Sequence, residues 1–347
     1  MYSFRNDYSE GAHPIIMERL LKMNELQNVG YGEDALCEQA KQQLKDKLQC
    51  EACDIHFLVG GTQANLTVIA AALRPYEAVI AVDSGHINVH ETGAVEATGH
   101  KVLIADSVDG KITPEGIRKA VLRHEDEHMV KPAMVYISNA TEIGTIYHKE
   151  ELQQIAAVCR ELNLYLFMDG ARMGAALAAR DNDLSYADLC TYCDVFYLGG
   201  TKNGALFGEA VVIVRDELKK DFRYMIKQRG GMLAKGWLLG VQFAALFEGN
   251  RYIEIAEHAN RMAQKLQTAM EACGLSFFIK TTTNQIFPVL PNVLIEELQK
   301  EYAFQVWESV DASHTAMRFV TSWATKESEV DRFIEFLDVL IMRLRKD

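Results

Sequence analysis

Residues 164–172 read Leu-Tyr-Leu-Phe-Met-Asp-Gly-Ala-Arg, a short apolar run that ends in an acidic residue. A run that is apolar on both faces is typical of a parallel strand covered by helices on both sides. The alternation of such runs with helical stretches predicts an α/β fold with a mostly parallel, seven-stranded sheet and helices on both faces. The other runs are Asp54–Val59, Ala78–Val82, Val102–Ala105, Ala133–Ser138, Val195–Leu198 and Ala210–Val214.

The pattern changes after Gly249. Before it, apolar residues recur at helical spacing between the predicted strands, for example over Ile87–Ala97 and Lys149–Leu162. After it come a long helix over Tyr252–Cys273, several short strands and a closing helix from Ser328 to Arg345, a pattern typical of an α+β arrangement. We therefore expect an N-terminal segment and large domain over residues 1–249, and a small C-terminal domain over residues 250–347.

The bulk composition is that of an ordinary soluble protein, with 347 residues, of which 49% are apolar and 24% charged. The net charge of -12 argues against a nucleic-acid partner, because binding to a phosphate backbone depends on clustered Lys and Arg. The N-terminus does not have the pattern of a signal peptide, and no apolar run is long enough to span a bilayer. We expect a cytoplasmic protein that does not bind membranes.

The seven cysteines favour reduced, buried thiols over a disulfide framework, because their number is odd and they are spread over a long chain. Two CxxC pairs occur, Cys50 with Cys53 and Cys190 with Cys193. A zinc ribbon needs its two pairs about 15 to 20 residues apart, whereas these lie far from each other in sequence. We predict packing roles for them and no metal.

A glycine-rich turn follows the first predicted strand, where Val59 leads into Gly60-Gly61-Thr62-Gln63 and then a helix. Glycines let the backbone approach an anion, and a helix N-terminus offers free N–H groups to it. An ordinary strand-to-helix turn with Thr62 as N-cap explains the same residues equally well. Neither GxGxxG nor GxxxxGK[ST] is present, which disfavours a nicotinamide dehydrogenase or an NTPase.

Two charged residues stand where charge is unusual. Asp169 ends an apolar strand, and a buried carboxylate there needs a cationic partner, such as Arg172 or a protonated heterocyclic nitrogen. Lys202 lies in Gly199-Gly200-Thr201-Lys202-Asn203-Gly204, just past another strand. A solvated surface lysine is the simpler interpretation of that loop, whereas a desolvated lysine has a lowered pKa and becomes a nucleophilic amine.

The combination of the three motifs decides between these interpretations. The Gly-Gly-Thr turn supplies a phosphate cradle, Asp169 a pyridinium partner and Lys202 an amine for a Schiff base. These are the three groups that pyridoxal 5'-phosphate needs from a protein. We therefore predict a pyridoxal-phosphate enzyme.

With these motifs the chain resembles the threonine aldolases, which are fold-type-I, aspartate-aminotransferase-like enzymes of the aromatic amino acid beta-eliminating lyase/threonine aldolase superfamily. The resemblance runs from Phe4-Arg5-Asn6-Asp7 to the region of Arg318. It implies that Gly61 and Thr62 bind the cofactor phosphate, that His86 stacks on the ring, that Asp169 contacts the ring nitrogen and that Lys202 forms the Schiff base.

The resemblance also implies how the substrate is held. Arg172 and Arg318 would clamp its carboxylate, in the bidentate geometry that arginine favours, and Arg172 would also lie beside the cofactor. His128 corresponds to a second family histidine near the substrate hydroxyl, although a lone histidine is more often structural.

Three positions depart from the family pattern. The segment Ser138-Asn139-Ala140-Thr141-Glu142 replaces the usual Glu-Asn-Thr-His-Asn, and we expect Asn139 to contact the phenolic oxygen of the cofactor. Asn6 stands where the commoner members have Ser, and could donate a hydrogen bond to the substrate carboxylate. Leu233 replaces an arginine that reaches the phosphate of the neighbouring subunit, so Arg229 or Lys235 would supply that contact. This implies a homodimer or homotetramer with its site at the subunit interface.

The function implied is the cleavage of the Cα–Cβ bond of L-threonine or L-allo-threonine to glycine and acetaldehyde. His86 or His128 would remove the proton of the β-hydroxyl. A β-eliminating lyase or an aminotransferase would use nearly the same residues, and a catalytically idle relative that binds the cofactor is a third alternative.

Overall fold

The computed structural model describes residues 1–344. Its strands are β1 (Tyr2–Ser3), β2 (Asp54–Leu58), β3 (Glu77–Val82), β4 (Lys101–Ala105), β5 (Ser107–Val108), β6 (Lys111–Ile112), β7 (Lys131–Ser138), β8 (Tyr165–Asp169), β9 (Val195–Gly199), β10 (Glu209–Ile213), β11 (Ser276–Ile279), β12 (Gln285–Pro291), β13 (Tyr302–Ala303), β14 (Gln305–Ser309) and β15 (His314–Val320). Its α-helices are α1 (Pro14–Met23), α2 (Ala35–Leu48), α3 (Gly61–Ala72), α4 (His86–Val89), α5 (Pro114–Leu122), α6 (Lys149–Glu161), α7 (Met173–Leu177), α8 (Tyr186–Tyr192), α9 (Asp216–Lys219), α10 (Phe222–Gln228), α11 (Trp237–Leu246), α12 (Arg251–Ala272), α13 (Asn292–Leu298) and α14 (Glu327–Leu344).

The large sheet has seven strands in the order β2-β10-β9-β8-β7-β3-β4. Neighbouring strands from β4 to β9 pair in parallel, while β10 is antiparallel to both β9 and β2. Apolar side chains on both faces pack into two separate cores, as a sheet covered by helices on both sides requires. The predicted α/β fold with a mostly parallel, seven-stranded sheet is confirmed.

The helix predicted over Ile87–Ala97 is wrong. Only α4 and a short 3₁₀ turn over Glu96–Thr98 are helical there. Thr92 and Gly93 between them have φ values of 53° and 70°, in the left-handed region that breaks a right-handed helix. The apolar spacing of this segment therefore reflects two short turns that face the core.

A second, four-stranded antiparallel sheet has the order β11-β12-β15-β14, and α12, α13 and α14 share a core with it. The first residues of the chain belong to this part, because β1 pairs in parallel with β13 and Phe4 lies in the same core. The domain boundary near residue 249 stays a prediction. The predicted end of the last helix, Arg345, lies outside the described residues.

The topology brings the loops that carry the motifs to one edge of the large sheet. Ser138, Asp169 and Gly199 end three adjacent parallel strands, and the antiparallel β10 begins at the same edge with Glu209. Open parallel sheets bind ligands at the carboxyl ends of their strands. No helix among residues 1–344 combines the length and apolar character needed to cross a membrane.

Candidate active site

A cavity of about 350 Å³ opens at this edge of the sheet. Its walls come from the segments after β2, β3, β7, β8 and β9, from the start of β10 and from the N-terminal segment. Six of the predicted residues line it, namely Gly61, Thr62, His86, Asp169, Arg172 and Lys202. The structure therefore brings the three sequence motifs together.

The Gly-Gly-Thr turn forms the first turn of α3 directly after β2. The first N–H groups of a helix have no partner within it, and here they stand on the wall of the cavity. A Cβ atom at Gly61 would lie 3.0 Å from the Tyr197 hydroxyl oxygen, so the turn packs closely against that side chain. This end of the cavity fits a phosphate group.

Asp169 keeps a negative charge in a buried position. Its Oδ1 accepts from the Ala171 N–H at 2.9 Å, and its Oδ2 accepts from the Tyr136 hydroxyl at 2.5 Å and from Asn65 Nδ2 at 3.1 Å. Burial raises the pKa of Asp169, but the nearby His86 and the hydrogen bonds from Tyr136 and Ala171 lower it by more, so the pKa is below its ordinary value. An ionised carboxylate here can hold a ring nitrogen protonated.

His86 begins α4 and is backed by a buried acid. Its Nδ1 lies 2.7 Å from Oε1 of Glu91, whose side chain is fully buried. Asn65 Nδ2 donates to the same Glu91 oxygen at 2.7 Å and to Asp169, so one amide links both carboxylates. When Nδ1–H donates to Glu91, Nε2 of His86 is free to accept a proton.

Lys202 lies in the loop between β9 and β10, half-buried on the cavity wall. Burial lowers its pKa and the positive charge of Arg172 lowers it further, while the carboxylates of Asp7, Asp169 and Glu209 act in the opposite direction. The net shift is downward. A lowered pKa is the property that a nucleophilic lysine amine requires.

The two arginines differ in their partners. Arg172 forms a bidentate ion pair with Asp7, with Nε to Oδ2 at 2.8 Å and Nη2 to Oδ1 at 3.0 Å. Arg318 on β15 has no ion pair among residues 1–344, and its buried Nε lacks a hydrogen-bond partner there. Burial and the charge of Arg172 lower the pKa of Arg318 to about 10. Arg318 lines the adjoining cavity of about 760 Å³ and is the guanidinium available for a carboxylate.

The structure does not bring His128 to this site within one chain. His128 is exposed in the loop before β7, and the site lies at the other end of that strand. Seven steps of about 3.3 Å along the strand separate the two edges by roughly 23 Å. His128 is therefore corrected to a surface position on its own chain, and His86 is the histidine that the fold places at the cavity.

Four other predicted residues do not line the cavity. Asn6 accepts from the Tyr8 N–H and the Ser9 hydroxyl through Oδ1, and Asn139 is fully buried with no partner for Nδ2 among the described residues. The Arg229 carbonyl accepts from Nε2 of Gln63 at 3.3 Å, next to the phosphate turn, whereas Lys235 is exposed in the loop before α11.

Sequence reasoning missed four acidic residues, Asp7, Glu91, Glu142 and Glu209. Asp7 and Glu91 pair with predicted residues, while Glu142 and Glu209 line the cavity. Only Glu209 could have been found from the sequence, because it stands at the start of an apolar run, as Asp169 stands at the end of one. The other three contact residues that only the tertiary fold brings near them, so the sequence pattern did not indicate them.

The fold and the site define a pyridoxal-phosphate-dependent enzyme of the aspartate-aminotransferase-like class. The aspartate aminotransferase of Thermus thermophilus superposes with a TM-score of 0.72 at 16% identity, over 98% of this chain and 91% of that one, which shows the shared fold. The chain belongs to the beta-eliminating lyase family, whose model matches residues 4–292. It is a pyridoxal-phosphate-dependent lyase.

Individual relatives are similar over 61% to 98% of the chain. The low specificity L-threonine aldolase of Pseudomonas aeruginosa is 32% identical over 326 residues, which cover 93% of each chain. That of Escherichia coli K12 is 29% identical over 61% of this chain and 64% of its own. The solved structure of Leishmania major threonine aldolase has 48% identity and a TM-score of 0.97, over 98% of this chain and 100% of that one.

Proposed function

We propose that this lyase cleaves the Cα–Cβ bond of L-threonine and L-allo-threonine to give glycine and acetaldehyde. The observation that carries the proposal is Arg318, a mostly buried guanidinium without an ion pair among the described residues, next to Arg172 and the cavity that Lys202 lines. A buried cation without a partner fits a carboxylate ligand. The names of the similar aldolases support a β-hydroxy amino acid as that ligand.

The residues present fit the cofactor. Lys202 Nζ would bond to its aldehyde carbon, the N–H groups of Gly61 and Thr62 would hold its phosphate, and Asp169 would hold its ring nitrogen. His86 would pack on the ring. We assign Asn139 to the phenolic oxygen, because its buried amide nitrogen has no partner among residues 1–344. When bound, the cofactor supplies a ring that accepts the electron pair of the breaking bond.

Substrate orientation would follow from the two arginines. Arg318 would bind the carboxylate, and Asp7 would hold Arg172 in place through both of its oxygens. Asn284 Nδ2 donates to Oδ2 of Asp7 at 2.9 Å and so fixes the position of the Asp7 carboxylate. A clamped carboxylate stops rotation about Cα and selects which of its bonds breaks. Asn6, which precedes Asp7, would donate a hydrogen bond to the carboxylate of the substrate.

Removal of the β-hydroxyl proton would fall to His86. Its Nε2 is free to accept while Nδ1 donates to Glu91. A buried carboxylate behind an imidazole stabilises the imidazolium that forms. Because Glu91 is itself held by Asn65, the ring keeps one orientation.

We also propose a cytoplasmic homodimer or homotetramer in which Arg229 or Lys235 reaches the phosphate of the neighbouring subunit. Support for an interface comes from two exposed tyrosines that line one shallow pocket, Tyr31 at 46% and Tyr224 at 77% exposure in a single chain. Sizeable apolar exposure is common where subunits meet.

Product analysis tests the proposed function. Purified protein with added cofactor is incubated with L-threonine and L-allo-threonine, and the products are identified. Glycine and acetaldehyde in equal amounts are expected. A 2-oxo acid with ammonia would instead indicate elimination, and a requirement for a 2-oxo acid acceptor would indicate transamination.

A further inference from the structure

The cavity of about 760 Å³ that adjoins the first one is used by the proposed function at a single residue of its wall, Arg318. The apolar side chains of Val89, Phe304 and Trp307 belong to the same wall. Lys202 lines the first cavity. An amino acid that reaches from Lys202 to Arg318 therefore lies across the boundary between the two cavities.

Two histidines lie at this boundary, one turn of backbone apart. His86 lines the first cavity and His90 lines the second. The His90 N–H donates to the His86 carbonyl at 2.9 Å, and the centroids of the two imidazole rings are 5.6 Å apart. Rings at this separation pack against each other, which leaves no space for a further group between them. A group that extends from the His86 side into the larger cavity must pass the imidazole of His90.

The two histidines differ in what holds them. Nδ1 of His86 lies 2.7 Å from the Glu91 carboxylate, whereas the exposed side chain of His90 has no hydrogen bond or ion pair among residues 1–344. Partial burial and the positive charges of His86, Arg318 and Lys202 lower the pKa of His90, so its imidazole is mostly uncharged at neutral pH. His90 therefore presents a neutral ring to the cavity, and its replacement removes bulk without removing a charge or a hydrogen bond.

We propose that His90 limits the size of the substituent that Cβ of the substrate can carry, and is thus a specificity-determining residue. The inference rests on the proposed function in placing the β-hydroxyl at His86 and the carboxylate at Arg318. The methyl group of threonine is short enough to stay on the His86 side. A phenyl group in its place meets the imidazole of His90 before it reaches the apolar wall beyond, so removal of that imidazole opens the way into the larger cavity.

Binding of two uncleaved amino acids tests the proposal. The holoenzyme is titrated with L-phenylalanine, which carries a phenyl group on Cβ but no hydroxyl, and with glycine, which has no Cβ. The visible absorption of the bound cofactor reports both Kd values. His90→Ala should lower the Kd for L-phenylalanine about tenfold, and His90→Tyr, with its larger ring, should raise it by a similar factor. The Kd for glycine should stay unchanged in both variants.

The opposite directions expected for the two variants separate a limit on size from general damage to the site, which would weaken binding in both. Gln299→Ala is the matched control, because it shortens another exposed side chain of the same cavity wall away from the boundary, and it should change neither Kd. An unchanged or higher Kd for L-phenylalanine in His90→Ala would overturn the proposal. So would changes of the same direction in His90→Ala and His90→Tyr, or an equal gain in Gln299→Ala.

Cleavage kinetics complete the test and separate the failure of this inference from that of the proposed function. The ratio of kcat/KM for L-threo-phenylserine to that for L-threonine should rise about tenfold in His90→Ala and fall in His90→Tyr. The expected Kd changes in a protein that cleaves neither substrate would support the size limit and refute the aldolase. Cleavage of L-threonine by the wild type, with wild-type Kd values and ratios in both His90 variants, would refute the size limit alone.

Discussion

Asp169 carries its negative charge in the interior because three hydrogen bonds and a nearby histidine hold it there. Asp7 and Glu91 show the same principle, since each is buried against a basic side chain, Arg172 or His86. Each of these three carboxylates thus has a partner that fixes its protonation or its direction. Arg318 has no ion pair among residues 1–344, and its Nε and Oε2 of Glu209 have no hydrogen-bond partner there.

Substitution of Asp169 by Asn tests its assigned contact with the ring nitrogen. The variant keeps the shape of the side chain but loses the charge that would keep that nitrogen protonated. We expect kcat/KM for L-threonine to fall on the order of a hundredfold or more. Steady-state kinetics at saturating cofactor measure the effect. Asp188→Asn, at the start of α8, is the matched control, and an equal loss there would contradict a specific role.

Arg318→Lys tests the carboxylate clamp. Lysine keeps the positive charge but cannot form the bidentate pair that a guanidinium makes. We expect KM for L-threonine to rise at least about tenfold, with the visible absorption of the bound cofactor unchanged. Arg215→Lys, in an exposed pair with Glu217, should leave KM as it is. An unaltered KM in Arg318→Lys would remove Arg318 from the substrate site.

At the scale of the elements, the backbones at the C-terminal ends of β8 and β9 approach each other so closely that only glycine fits at positions 170 and 199. A Cβ atom on Gly170 would lie 1.8 Å from the Tyr197 carbonyl oxygen, and one on Gly199 would lie 2.5 Å from that of Ala171. The Gly199 N–H donates to the Gly170 carbonyl at 2.9 Å. This contact sets the spacing between the loops of Asp169 and Lys202.

Gly170→Ala should therefore destabilise the protein as well as the site. The backbone must move to relieve the overlap, and we expect a loss of about 3 kcal/mol in the free energy of unfolding. Urea denaturation measures it. A Cβ on Gly11 meets no atom within 4 Å, so Gly11→Ala should change stability by under about 0.5 kcal/mol. Equal stability of both variants would contradict the packing argument.

The elements were predictable to different degrees from the sequence. The seven strands of the large sheet follow from short apolar runs, because a strand buried on both faces leaves a strong local pattern. The segment over Ile87–Ala97 has apolar residues at helical spacing, but the backbone at Thr92 and Gly93 breaks the helix. Helical spacing alone does not report such a break.

The site was predictable only where its residues follow strands. Gly61, Asp169 and Lys202 each stand directly after an apolar run, so topology alone brings them together. Asp7 and Arg172 are 165 positions apart, and no local sequence pattern predicts such an ion pair. His128 precedes β7, and the fold therefore places it at the opposite end of that strand from Ser138 within one chain.

At the scale of the whole molecule, mixing two inactive variants tests whether subunits share the site. Lys202→Ala lacks the nucleophile, and Arg229→Ala lacks the proposed phosphate contact from the neighbour. If Arg229 reaches across an interface, hybrid oligomers contain some complete sites, and aldehyde release should partly recover on subunit exchange. The measurement is activity after mixing and reassociation.

The matched control for this mixing experiment combines Lys202→Ala with Asp169→Asn. Both side chains line one cavity of a single chain, so a hybrid contains no complete site and should stay inactive. Recovery in the control, or none with Arg229→Ala, would contradict a phosphate contact by Arg229 across the interface.

The most direct test of the central claim compares wild-type protein with Lys202→Ala on L-threonine. Acetaldehyde release and the visible absorption of the bound cofactor are followed together, with pyridoxal phosphate added to both proteins. We predict that the wild type releases acetaldehyde and is yellow, and that Lys202→Ala loses both properties. A Lys202→Ala protein that keeps the absorption band and releases acetaldehyde at the wild-type rate would contradict the account.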